Sequence, residues 1–194
     1  MKDCKHLEAR FCGVGGQGIV LGSTILADAA IFHEGKYAVQ SPTFGSQVRG
    51  GPTKVDLIVD TEEILYPKAT NINFFLAIAQ SSFNKYFHNI ADDCTILIDE
   101  NLVIKMPEDM LQGNHRHLYK IPVMEMAKQH FNNNMLANMI CLGVTQEVTQ
   151  VVTLDNLLAS VKKLVPAKHY EKNVLAVMMG VDLAKKRQRE EMAC

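Results

Sequence analysis

The sequence predicts an α/β fold: a mainly parallel sheet flanked by helices, with a Rossmann-like N-terminal half and a helical C-terminal part. Three observations predict it. Strand-like and helix-like stretches alternate through the first two thirds of the chain. INFFLAIA at 72–79 reads as a continuous apolar run and CTILIDE at 94–100 as another apolar strand, the pattern of parallel strands covered on both faces. From Asn134 onward the apolar spacing is helical throughout.

Each element has its own reason. EARFCGV (8–14) is a first strand, and four glycines crowd the turn after it. GIVLGSTILADAAIFHEG is a helix with Ile19, Leu21, Ile25, Leu26 and Ala29 inward, ending near Gly35. KYAVQSP is a short strand stopped by Pro42, and residues 43–52 form a glycine-bearing loop. TKVDLIVD alternates Val55, Leu57 and Val59 with Lys54, Asp56 and Asp60, so a half-exposed strand is expected. QSSFNKYFHNI is a helix between the two apolar strands. Residues 105–117 are polar and loop-like; HLYKIPV is a short strand and 124–131 a short helix. Three further helices span NMLANMICLGVTQEV, LDNLLASVKKLV and HYEKNVLAVMMGVDLAKKRQRE. Thr153 is the expected N-cap of the second, and Pro166 marks its end. The last three helices cover a face of the sheet or build an interface.

The 194 residues suit one domain, 1–194, with one core. With 20 Lys and Arg against 21 Asp and Glu, no general pull toward nucleic acid or an anionic membrane is expected. The N-terminus has no apolar signal region and no window approaches a membrane span, so a soluble cytoplasmic protein is expected. Five cysteines, Cys4, Cys12, Cys94, Cys141 and Cys194, lie far apart and never as CxxC. That spacing points away from a disulfide framework and from a self-contained zinc or iron–sulfur site. Cys12, Cys94 and Cys141 sit in apolar runs and read as core. His115 and His117 in GNHRHLYK read as a solvated loop.

The chemistry concentrates in two places. Gly13-x-Gly15-x-x-Gly18, with Gly16 and Gln17 inside it, stands between a strand and a helix. Glycines there allow a tight turn and let N–H groups at a helix N-terminus meet an anion. A dinucleotide site also needs an acid at the end of the second strand. Here that strand ends Val39-Gln40-Ser41-Pro42, and no P-loop lysine follows the turn. Two readings therefore stay open, contact with an anionic ligand and tight backbone packing. The second place is SPTFGSQVRGGPTK, where Arg49 precedes Gly50 and Gly51. Loops at the carboxyl ends of strands share one crevice, so this loop converges on the glycine turn. Arg49 there either grips a phosphate or carboxylate or serves as a surface or interface arginine.

Together FCGVGGQGIVLGSTILADAA, KYAVQSPTFGSQVRGG, the YP of ILYPKA, LAIAQSSFNKY and NMICLG resemble the gamma subunit of 2-oxoacid:ferredoxin (acceptor) oxidoreductases, over about residues 8–183. Tyr37, Gln40, Ser41 and the RGG context, with Asn173 in KNVLAVMMG, resemble the 2-oxoglutarate branch. The resemblance implies a pyruvate/ketoisovalerate oxidoreductase gamma-type domain that is inactive alone. It implies alpha, beta and delta-type partner subunits that hold thiamine diphosphate, Mg²⁺ and iron–sulfur clusters. It implies that the enzyme converts a 2-oxoacid to an acyl-coenzyme A and passes electrons to ferredoxin or flavodoxin. It also implies a contribution of this chain to coenzyme A binding, through Gly13, Gly15, Gly16, Gln17, Gly18, Arg49, Gly50 and Gly51. The alternatives are an independent Rossmann-type nucleotide-binding oxidoreductase and a purely structural scaffold subunit. The apolar C-terminal helices further suggest self-association of the isolated chain.

Overall fold

The computed structural model describes residues 5–45, 50–107 and 117–192, the last two without their side chains. Six strands form one sheet: β1 (His6–Val14), β2 (Tyr37–Thr43), β3 (Pro52–Asp60), β4 (Ile72–Ala77), β5 (Ile90–Ile98) and β6 (Leu118–Lys120). Their order is β2-β3-β1-β4-β5-β6. β1, β4, β5 and β6 pair in parallel, while β3 runs antiparallel to both β1 and β2. The helices are α1 (Ile19–Glu34), α2 (Gln80–Tyr86), α3 (Val123–Phe131), α4 (Ala137–Thr149), α5 (Leu154–Leu164) and α6 (Tyr170–Met192). The mainly parallel sheet with flanking helices is as expected. The Rossmann pattern differs in one respect, because β3 stands between β1 and β2.

The two faces of the sheet hold two cores. Leu7, Ala9 and Phe11 of β1 point to the face covered by α1 and by the helices from α3 onward. Cys12 points to the other face, with Phe75, Phe83, Tyr86 and Cys94 around α2. This alternation follows from the two-residue period of a strand. The buried thiols of Cys12 and Cys141 are pushed up by desolvation, so neither is a nucleophile at neutral pH.

Four sequence expectations are corrected. β3 is not half-exposed: Val55, Leu57 and Val59 are buried, and so are Ile58, Thr53 and Asp56. α1 packs on one of its faces and α2 on the other, and Asp56 is tolerated there because Arg10 meets it. Leu21 is 40 % exposed, and α1 buries Gly22, Ser23, Asp28 and Ala30 beside the expected residues. Pro42 lies within β2 and pairs with Val55. As the edge strand, β2 can carry a residue that lacks an N–H. α2 ends at Tyr86 rather than running on to residue 90. There the Arg10 guanidinium donates to the carbonyl oxygens of Tyr86 (3.1 Å) and His88 (2.9 Å), a cation at a helix C-terminus.

The C-terminal helices cover the α1 face. α4 is central, with every residue from Ala137 to Gln146 buried. It crosses α6 at paired glycines: a Cβ on Gly143 would lie 2.0 Å from the Val177 carbonyl oxygen, and one on Gly180 2.0 Å from that of Ile140. Only glycine permits backbones this close. α5 docks on α1 through Asp28, which accepts from Ser160 (2.8 Å) and Lys163 (2.5 Å). Thr153 caps α5 as expected, its hydroxyl oxygen accepting from the Asn156 N–H (3.4 Å). Among the described residues no helix is long and apolar enough to cross a membrane.

Candidate functional site

The glycine turn and the glycine loop meet at the carboxyl end of the parallel strands. The Gly15 N–H donates to the Gly51 carbonyl oxygen at 3.2 Å. The contact arises because β3 pairs with β1 along its whole length, ending with Val14 opposite Pro52. The loop leading into β3 is thereby delivered beside the turn leaving β1. The expected convergence of Gly15 with Gly51 is present. Arg49 lies outside the described residues.

The turn's residues divide by role. Gly13 is buried, and its carbonyl oxygen accepts from the Ser82 hydroxyl of α2. A Cβ on Gly13 would lie 2.7 Å from Gln17 Oε1 and 3.1 Å from Ile19 Cγ2. Gln17 folds back as a strut. Its Oε1 accepts from the Val14 N–H (2.7 Å), and its Nε2 donates to the Ile78 carbonyl oxygen (3.1 Å) just past β4. Gly18 caps α1 in the left-handed region, at φ 77°. A Cβ there would lie 2.3 Å from Nδ2 of Asn138, which donates to the Gly18 carbonyl oxygen at 3.0 Å.

Gly16 is different. It is exposed at φ 99°, and a Cβ on it would meet nothing within 4 Å among the described residues. Among the described residues no group accepts from the N–H of Gly16, of Gly18 or of the first three residues of α1. No acid stands in the first turn of α1, so the positive end of its dipole is not offset locally. Gly50, at φ 75°, is likewise open on its Cβ side. Gly13 and Gly18 thus have packing reasons, whereas Gly16 and Gly50 face outward. Among the described residues no group of three or more His, Cys, Asp or Glu is placed to hold a metal.

Sequence reasoning missed Asn138. It is only 5 % exposed, and among the described residues its Oδ1 has no hydrogen-bond partner. The available signal was an amide inside the apolar run NMLANMICLG, which a buried helix face does not accept without a polar neighbour. That neighbour is the turn, 120 residues earlier in the chain. The dinucleotide alternative loses its geometry as well as its acid. β2 lies one strand away from β1, and Gln40 turns its amide to Val20 O, Ser23 Oγ and Thr24 Oγ1 of α1.

Comparison with known proteins agrees over nearly the whole chain. Residues 8–183 match the pyruvate ferredoxin/flavodoxin oxidoreductase family. The 2-oxoglutarate synthase subunit KorC of Methanocaldococcus jannaschii is 33 % identical over 180 residues, covering 92 % of this chain and 94 % of that subunit. The keto/oxoacid ferredoxin oxidoreductase gamma subunit of Geobacter sulfurreducens superposes with a TM-score of 0.82 at 31 % identity, covering 93 % and 97 % of the two chains. The 2-oxoglutarate:ferredoxin oxidoreductase of Magnetococcus marinus, solved with 2-oxoglutarate, coenzyme A and succinyl-CoA bound, shares the fold at TM-score 0.82 and 21 % identity. There 94 % of this chain matches 31 % of a longer chain. The chain belongs to the pyruvate ferredoxin/flavodoxin oxidoreductase family, as a gamma subunit of the 2-oxoacid:ferredoxin oxidoreductases, enzymes that act as multi-subunit complexes.

Proposed function

We propose that this chain, acting as one domain, presents a phosphate cradle for coenzyme A within a 2-oxoglutarate:ferredoxin or flavodoxin oxidoreductase. One observation carries the reading. Gly16 stands exposed at a positive φ among N–H groups that no described residue accepts from, at the start of a helix with no acid in its first turn. Among the described residues no neighbour demands glycine there, which favours a ligand or a partner's backbone as the reason. N–H groups at a helix N-terminus suit a phosphate. The open Cβ side of Gly16 leaves room for one to approach. Gly15, Gly50 and Gly51 form the rim, Gln17 braces the turn, and Arg49 supplies a planar fork for a phosphate oxygen pair.

The substrate assignment rests on the relatives, which include the 2-oxoglutarate synthase subunit. Coenzyme A and its succinyl ester are ligands of the Magnetococcus enzyme, whose likeness to this chain carries the fold alone. In this reading the complex converts the 2-oxoacid to an acyl-coenzyme A in the cytoplasm. Thiamine diphosphate, Mg²⁺ and iron–sulfur clusters belong to the alpha, beta and delta-type partners. This chain's part is to bind and orient coenzyme A at the subunit interface.

The test uses the assembled complex. Gly16→Val and Arg49→Lys are each expected to raise the KM for coenzyme A by about tenfold or more, the loss of one charge-assisted contact. Decarboxylation of the 2-oxoacid should stay unchanged. Unaltered kinetics in a fully assembled complex would remove the coenzyme A role. An unchanged KM with weaker subunit association would instead make the turn a docking surface.

A further inference from the structure

On the α2 side of the sheet, one strand away from the turn, lies a cluster of charge that does not balance among the described residues. Lys54 stands in register between Cys12 and Thr43, and Asp56 between Arg10 and Ser41. Arg10 is 1 % exposed and takes both oxygens of Asp56, at 2.6 Å from Nε and 3.0 Å from Nη2. Lys54 Nζ contacts the same Asp56 oxygen as Nη2. One carboxylate therefore serves two cations.

A third cation stands close by. Lys85 Nζ lies 5.2 Å from the centroid of the Tyr86 ring, and Lys54 Nζ lies 6.0 Å from it. The Tyr86 hydroxyl is spent on the Pro52 carbonyl oxygen (3.1 Å). Glu8, an acid on the same face of β1, spends one oxygen on the N–H groups of Thr70 and Asn71 and turns the other toward His6. His88 registers the surplus: burial first, then the charges of Arg10 and Lys54, holds its imidazole below the ordinary value. Lys54 is nevertheless reachable, with 16 % of its side chain exposed. Thr43, its cross-strand neighbour on the same face, is exposed.

We propose that Lys54, Lys85 and the Thr43 hydroxyl bind a phosphate monoester dianion. Two ammonium groups and a hydroxyl match a compact dianion. The backbone N–H groups of the glycine turn instead suit a diphosphate. Lys54 pairs with Cys12, three residues before Gly15, so the two sites are separated by about 10 Å at about 3.3 Å per residue. A nucleotide carrying a diphosphate and a separate monoester can span both. The inference rests on the coenzyme A reading and assigns the 3′-phosphate of that ligand to Lys54.

The experiment compares coenzyme A with 3′-dephospho-coenzyme A as substrates of the assembled complex. Lys54→Gln is expected to raise the KM for coenzyme A about tenfold and to leave that for the dephospho form unchanged. Lys54→Arg, which keeps the charge, should recover most of the loss. Equal increases with both substrates would make Lys54 a structural partner of Asp56 and overturn the proposal. Failure of Lys54→Gln to change either KM overturns it too, if Gly16→Val still raises the KM for coenzyme A. If neither variant moves that KM, the coenzyme A reading itself has failed.

Discussion

Gly18→Ala tests the joint between the glycine turn and α4. Two separate terms oppose the new methyl group. Gly18 holds φ 77°, and an alanine in that left-handed region costs about 1–2 kcal/mol. The new Cβ would also stand 2.3 Å from Asn138 Nδ2, far inside contact distance, so the amide must leave the Gly18 carbonyl oxygen. Loss of that hydrogen bond adds about 0.5–1.5 kcal/mol. The sum, about 1.5–3.5 kcal/mol, lowers Tm by about 3–14 °C in a chain of this size. Thermal unfolding followed by circular dichroism reads it directly. Asn138→Ala separates the two terms, because in its background only the φ cost should remain. The double variant should therefore be less destabilised than the sum of the singles by about 1 kcal/mol. Strict additivity, or a Gly18→Ala cost below about 0.5 kcal/mol, would refute the contact as the reason for glycine here.

Two further outcomes follow from the packing and the charges. Gly143→Ala places a methyl group 2.0 Å from the Val177 carbonyl oxygen. It should cost about 1–3 kcal/mol by overpacking, where the same change in an open helix would stabilise; urea unfolding measures the sign. Asp28 is a pH-dependent joint: burial opposes its charge, but bonds from Lys163 and Ser160 outweigh that and hold its carboxyl below the ordinary range. The sign follows: a lowered folded-state pKa stabilises above the unfolded value near 3.9, and that stability is lost as pH falls through the folded value. Asp28→Asn should therefore shrink the difference in unfolding midpoint between about pH 7 and about pH 3.

What the sequence determined by itself is the succession of elements and the identity of the two glycine segments. Period-two and period-3.6 patterns are local, and so are turn residues, so β1, the turn, α1, β4 and β5 are legible from neighbouring residues alone. The failure of the acidic-residue test at Gln40 was also local. Strand order was not, because pairing joins residues far apart in the chain. The insertion of β3 between β1 and β2 followed from no single segment. That insertion buried Asp56 on Arg10, turned a strand expected to be half-exposed into a central one, and brought Gly51 to Gly15. The meaning of each glycine was likewise decided in three dimensions. Gly13 and Gly18 are set by Gln17 and Asn138, and Gly143 by the carbonyl oxygen of Val177 on another helix. Gly16 has no such neighbour among the described residues, and packing among them does not explain its left-handed backbone.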